Sequence, residues 1–228
     1  MIQSFWWLIP LCLGAYLFGC INFSDICCRL FIKTDVRKLG SGNPGTTNML
    51  RNFGFRWGML ILLLDWAKGG IPALAGLLLF GFSTDAGQIA LFAMGLAAVL
   101  GHCFPVTARF RGGKGIATLI GVFIVANPWM SLAVFFIGLG YLAIFEYGAI
   151  VSLVFITAMM VFQAMTTEIH IAVAFLMFAF YCLVWVTHRT NIYRLLTGTE
   201  NHASLFKRLL KKRNARKQKQ WRNEIADL

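Results

Sequence analysis

Residues 87–115 read GQIALFAMGLAAVLGHCFPVTARFRGGKG, and the change of character inside that stretch decides the fold. Up to Gly101 the run is almost wholly apolar. Then Arg109-Phe110-Arg111-Gly112-Gly113-Lys114-Gly115 packs three cations and three glycines into seven residues, and a second apolar run, 116–126, follows at once. Long apolar runs broken by short charged loops are the pattern of a chain threaded back and forth through a bilayer. Glycines let backbone N–H groups approach a ligand closely, and Arg or Lys beside them adds positive charge, a combination that suits a phosphate. A membrane loop that is basic only because it faces the cytoplasm is the competing explanation. A nucleotide P-loop is excluded: that pattern needs a glycine where Ala108 stands and Ser or Thr where Gly115 stands.

Composition points the same way. Of 228 residues 58% are hydrophobic, with a mean hydropathy of +0.70, whereas soluble domains are about 45–50% apolar. Seven Trp and 21 Phe fit lipid-facing and interfacial packing. The six cysteines lie in or beside apolar segments with no metal-like spacing, so buried free thiols are expected. No basic leader-type region opens residues 1–17, and the first apolar run is therefore expected to remain as a span.

The formal charge of +12 is uneven. From Ala203 onward nine Lys/Arg face only Glu224 and Asp227. With Leu205, Phe206, Leu209, Leu210 and Trp221 interleaved, this tail reads either as a basic helix on anionic lipid or as a solvated extension, and not as a nucleic-acid binder. Two regions follow: an integral membrane domain, 1–202, and a basic cytoplasmic tail, 203–228.

The expected architecture is all-α, a polytopic helix bundle. Spans are read near 5–23, 57–82, 87–101, 116–126, 129–145, 149–165 and 169–186. Asn127-Pro128 and Glu146-Tyr147-Gly148 mark the breaks that make seven spans out of five. Either count has the same parity. Lys33, Arg37, Lys38, Arg51 and Arg56 follow the first span; Arg109, Arg111 and Lys114 follow the third; Arg189 and Arg194 follow the last. The opposite loops, 83–87, Asn127 and 166–170, hold no Lys or Arg. The positive-inside rule then puts the N-terminus outside and the C-terminus in the cytoplasm.

Three polar segments thus meet on one face. The first is Gly40-Ser41-Gly42-Asn43-Pro44-Gly45-Thr46-Thr47-Asn48 with Arg51, a donor-rich backbone with side-chain donors from Ser41, Thr46, Thr47 and Asn48. A simple turn would not need nine such residues. The second holds His102, Arg111 and the Gly112-Gly113-Lys114-Gly115 run. The third is His188-Arg189-Thr190-Asn191, continued to Gly198 and Glu200, with His188 and Asn191 spaced to share a helix face. Arg51, Arg111, Lys114 and Arg189 are the foremost phosphate binders. Inside the second span, Asp65 and Lys68 are spaced to pair, either for packing or as support for the first segment.

In order and content these segments, 40–48 with Arg51, 101–105 with 111–118, and 188–195 with Gly198 and Glu200, resemble the three signature motifs of the bacterial acyl-phosphate:glycerol-3-phosphate 1-acyltransferases. The resemblance covers about residues 5–200; Thr46, Arg109, Arg111 and Thr107-Ala108 depart from the usual residues without removing a central group. It implies a compact helical membrane enzyme of the bacterial inner membrane, with its active site facing the cytoplasm. The enzyme transfers an acyl group from acyl phosphate to the 1-hydroxyl of glycerol 3-phosphate, giving lysophosphatidic acid and phosphate in the first step of phospholipid synthesis. It further implies a polar centre of Ser41, Arg51, Lys114, His188 and Asn191. By the same resemblance Gly112, Gly113, Gly115 and His102 would help hold glycerol 3-phosphate, and Arg111 and Arg189 are counted among the substrate-binding residues. Gly42, Asn43, Gly45, Thr46 and Asn48 would hold the acyl phosphate. Glu200 is expected to anchor the third segment by pairing with a nearby Arg. No cofactor or metal is implied.

Acyl phosphate is a mixed anhydride, so its carbonyl is already activated and no covalent enzyme intermediate is required. His188 is one candidate proton acceptor and a substrate phosphate is the other. The CoA-dependent enzymes carry His, four residues, then Asp; here Thr107, Phe175, Tyr193 and Lys207 follow the four histidines at that distance. A transporter of phosphorylated metabolites is the other reading. It would place polar groups near the bilayer midplane in paired broken helices, where this chain offers only Asp65 and Lys68.

Overall fold

In the computed structural model residues 5–166 and 170–200 are described, and among them there is no strand. The basic tail lies outside the described residues. A short 3-10 turn, Phe5–Trp7, leads into α1 (Leu8–Gly19); α2 (Phe23–Cys27) runs into a π-helical turn, Cys28–Ile32. Then come α3 (Thr46–Phe53), α4 (Phe55–Phe80), α5 (Asp85–Cys103), α6 (Ile116–Ala126), α7 (Pro128–Phe145), α8 (Gly148–Thr166) and α9 (Ile171–Leu196).

Local signals set the boundaries. The Thr84 hydroxyl accepts the Gly87 N–H at 3.0 Å and starts α5, and the Asn22 side chain caps α2 by accepting the Asp25 N–H at 2.9 Å. The α6–α7 break falls at Asn127, with Pro128 opening α7. The α7–α8 break falls at Glu146 and Tyr147. Gly81, at φ +115°, ends α4. Among the described residues six helical segments are long and apolar enough to cross a membrane. The seventh expected span, Ile116–Ala126, has only 11 residues and is about 16 Å long at 1.5 Å per residue. It is a half-length helix, not a full crossing. The last helix also outruns its expected end at 186 and reaches Leu196, because nothing breaks it before Gly198, at φ +67°.

The centre of the bundle is α4 packed on α5 and α6, with α1 on the far side of α5. These helices touch backbone to backbone. A Cβ added to Gly69 of α4 would overlap the Thr118 carbonyl of α6, and one added to Gly121 would overlap the Trp66 carbonyl. Around this crossing Phe123 meets Phe92 at 5.8 Å, Phe180 at 5.9 Å and Phe155 at 6.3 Å, which locks α5, α6, α8 and α9 into one core. In a bilayer, helices gain little from hiding apolar surface from one another, so close packing at small residues carries the association. By contrast α7 buries only Ser131 and Gly138 and turns most of its surface outward. The cysteines are free as expected; Cys20, Cys27, Cys28 and Cys103 are buried, but Cys12 is half-buried and Cys182 exposed, since both lie on outward faces.

Replacing Gly69 by Leu is therefore expected to destabilise the bundle by about 1–3 kcal/mol, through overpacking at the α4–α6 crossing. Gly140→Ala is the control, because a Cβ there meets nothing within 4 Å. Thermal unfolding in detergent checks both; equal melting temperatures would contradict the crossing.

Candidate functional site

The first polar segment is folded around one side chain. Buried Asn48 accepts the Ser41 N–H at 3.2 Å and the Asn52 amide at 2.9 Å through Oδ1. Its Nδ2 donates to the Leu39 carbonyl at 3.0 Å and the Val36 carbonyl at 3.4 Å. Asn48 thus shapes the loop more than it can serve a ligand. Gly45 precedes α3, and the helix carries Thr46, Thr47 and Arg51 to a common cavity.

The second segment is clamped to the end of α5. Gly112 N–H donates to the Cys103 carbonyl and Gly113 N–H to the His102 carbonyl, each at 3.1 Å. Gly115, at φ +83°, turns the chain into α6 and leaves Lys114 as the last side chain before the turn. Arg37 ties the first two segments together by donating to the Arg111 carbonyl at 3.2 Å.

The third segment is the cytoplasm-proximal end expected of the last span, now seen as continuous α9. His188 Nδ1 lies 2.9 Å from the Val184 carbonyl. A carbonyl only accepts, so Nδ1 carries the hydrogen and Nε2 presents a lone pair. One turn on, Asn191 Oδ1 receives the Lys114 ammonium at 2.5 Å. Its Nδ2 donates to Glu200 Oε1 at 2.6 Å. Glu200 accordingly anchors the segment through Asn191, where an Arg partner was expected; the turn at Gly198 folds the chain back to bring it there. Thr187 adds a second tie, donating to the Lys114 carbonyl at 3.2 Å.

All this surrounds one cavity of about 950 Å³. Ser41, Gly42, Asn43, Gly45, Thr46, Asn48, Arg51, His102, Arg111, Gly112, Lys114, Gly115, His188, Asn191 and Glu200 line it. Two expected residues do not. Gly113 is packed on the His102 ring, and Arg189 is spent outside, its guanidinium donating to the Val186 carbonyl at 3.1 Å. The wall also includes Asp65, read from sequence as packing or support for the first segment, and three residues that were not read as site residues: Arg37, Thr187 and Arg194. Arg194 lies three residues past Asn191 on the same helix, a spacing that the His188–Asn191 pair already advertised. Away from the polar end the wall becomes apolar, with Leu62 and Trp66 of α4, Ile120 of α6, Phe135 and Leu139 of α7 and Phe155 of α8.

The cavity is thus cationic and donor-rich at one end and greasy at the other. Burial pushes the Lys114 amine below the usual lysine range; the Glu200 carboxylate opposes this, while the Arg194 and Arg51 guanidiniums add to it.

The model of one protein family, described as Glycerol-3-phosphate acyltransferase, matches residues 9–198. Among similar proteins is the glycerol-3-phosphate acyltransferase of Aquifex aeolicus, 40% identical over 192 residues, which are 82% of this chain and 94% of that one. Another is that of Halalkalibacterium halodurans, 37% identical over 198 residues, 86% of this chain and 94% of that one. Among solved structures, PlsY (YgiH), an integral membrane glycerol 3-phosphate acyltransferase, is similar in its glycerol 3-phosphate form, with a TM-score of 0.77 and 36% identity. Its lysophosphatidic acid form gives 0.76 and 35%. Each covers 86% of this chain and 94% of the other.

An anion here needs the protonated Lys114, and a depressed amine sheds its proton at a lower pH than the usual lysine value of about 10.4. Affinity for a phosphate monoester is therefore expected to fall with rising pH sooner than for a free lysine. Glu200→Gln removes the opposing carboxylate and should move that fall to lower pH still. Calorimetric titration from about pH 7 to pH 10 checks this; an unmoved fall in Glu200→Gln would mean that Glu200 does not act on Lys114.

Proposed function

This chain belongs to the glycerol-3-phosphate acyltransferase family, and on that footing we propose that it transfers an acyl group from acyl phosphate to the 1-hydroxyl of glycerol 3-phosphate. The products are lysophosphatidic acid and phosphate. The observation that carries the reading is a single cavity with a cationic, donor-rich end and an apolar end, which matches an amphiphilic donor meeting a small phosphorylated acceptor.

The chemistry runs as a direct displacement. The acceptor oxygen attacks the acyl carbonyl, a tetrahedral oxyanion forms, and the carbon–oxygen bond to phosphate breaks. Lys114 and Arg51 hold the two phosphate groups in one place and offset the charge that builds up. Ser41, Thr46 and the N–H groups that open α3 bind the acyl phosphate, while Arg111 faces the acceptor with Gly112 and the His102 ring behind it. The hydroxyl proton passes to a phosphate oxygen, with His188 Nε2 orienting the hydroxyl. In support of that reading, the ring's other nitrogen is given to a main-chain carbonyl and has no carboxylate behind it among the described residues. Asn191, held by Glu200, keeps the Lys114 amine aimed.

The acyl chain lies between α4, α6, α7 and α8 and reaches the lipid past the exposed face of α7. The protein sits in the bacterial inner membrane with its N-terminus outside, and the site and the basic tail face the cytoplasm, where the tail contacts anionic lipid.

Purified protein supplied with palmitoyl phosphate should release phosphate only when glycerol 3-phosphate is present, and should form lysophosphatidic acid; palmitoyl-CoA should give neither. Activity with the CoA ester alone would overturn the donor. Lys114→Ala should lower turnover by about 100-fold or more, as loss of a charge-stabilising donor does, in protein that still accumulates folded. Leu139→Trp, which narrows the apolar end, should raise KM for palmitoyl phosphate and leave KM for glycerol 3-phosphate in place.

A further inference from the structure

Three ionisable side chains stand in the packed interior behind the polar end of the cavity. Asp65 is 2% exposed, Lys68 1% and His102 6%. Lys68 Nζ lies 3.2 Å from Asp65 Oδ1 and donates to the Ile21 carbonyl at 2.8 Å, which fixes the pair to the junction of α1 and α2. The Phe23 ring sits 5.5 Å from the same ammonium. His102 Nδ1 lies 3.7 Å from that Asp65 oxygen. This buried nitrogen has no hydrogen-bond partner within reach.

The other side of the imidazole meets the second polar segment. A Cβ on Gly113 would overlap His102 Nε2, and the Gly113 N–H is held by the His102 carbonyl at 3.1 Å. Lys114 is the next residue. A chain of contacts therefore runs from Ile21 through Lys68 and Asp65 to the His102 ring, across the packed face of Gly113 to Lys114, and on through Asn191 to Glu200.

Packing alone does not account for it. Buried charges are costly in a membrane domain, and a well-packed apolar pair serves stability at least as well. An orphaned ring nitrogen adds a further cost unless something approaches it. At 3.7 Å the carboxylate is too far for a hydrogen bond, but a small turn closes the gap, and such bonds commonly tighten when substrate arrives. Asp65 and His102 also border the cavity, whereas Lys68 does not.

We propose that Asp65 is a positioning residue for acyl transfer: anchored by Lys68, its carboxylate takes the His102 Nδ1–H, fixes the ring as the seat of Gly113, and so holds Lys114 at the acceptor phosphate. The proposal rests on the acyltransferase reading above.

The test uses full-length protein in detergent with palmitoyl phosphate and glycerol 3-phosphate, recording kcat, both KM values and the melting temperature. The doubly neutral variant Asp65→Asn/Lys68→Met leaves no unpaired charge and should melt near the wild type. Its KM for glycerol 3-phosphate should nonetheless rise about tenfold while KM for palmitoyl phosphate stays put. Adding His102→Asn to it should cost little more, since both changes cut one path. Asp65→Glu keeps the pair with Lys68 but displaces the carboxylate; it should fold and raise the same KM, which covers failure of the neutral variant to fold. Wild-type kinetics in the neutral variant or in Asp65→Glu, or independent effects of the Asp65 and His102 changes, would overturn the proposal. A wild type inactive with both acyl donors would instead bring down the acyltransferase reading, and this proposal with it.

Discussion

The contact between the Lys114 ammonium and the Asn191 amide oxygen joins the start of α6 to the end of α9. Seventy-seven residues separate the two partners, so nothing local holds them; the helices between must bring them together. Several devices near the site serve that meeting. The glycine contacts between α4 and α6 set the height of Lys114, the phenylalanine cluster fixes α9 against α6, and Glu200 holds the Asn191 amide the right way round. A positive charge half-buried in this way is costly unless an anion or a fixed dipole answers it. Asn191 supplies the dipole, and a phosphorylated ligand would supply the charge.

Much of this was legible from residues alone, and the reasons differ by feature. The helical membrane architecture follows from run length and composition, which a bilayer reads almost without context. The three polar segments stood out because charge and glycine are anomalous beside apolar runs, and the family follows from their order. What escaped was three-dimensional. Asn48 looked like a ligand-binding donor, yet its four contacts inside the loop make it a scaffold. Arg189 looked like a phosphate binder because it follows His188, but adjacent residues on a helix point about 100° apart, and it faces away. The Asp65–Lys68 pairing was visible as an i,i+3 spacing. Its neighbour His102 lies 37 positions beyond Asp65 in the chain, out of reach of any periodicity.

The short helix α6 carries a further meaning. Its 18-residue successor α7 is about 27 Å long, close to a bilayer's apolar thickness of about 30 Å, whereas α6 covers about 16 Å. The two share the Asn127 corner, and measured along the helices from that corner α6 stops about 10 Å before α7 does. The charged end of the cavity is thus recessed beside a longer helix, with the apolar end continuing along that helix. On the proposed reaction, a greasy donor would enter such a recess by drifting sideways in its own leaflet, with no need to be lifted toward water. The small, highly soluble partner would then be the one to descend, drawn by the cations at the bottom.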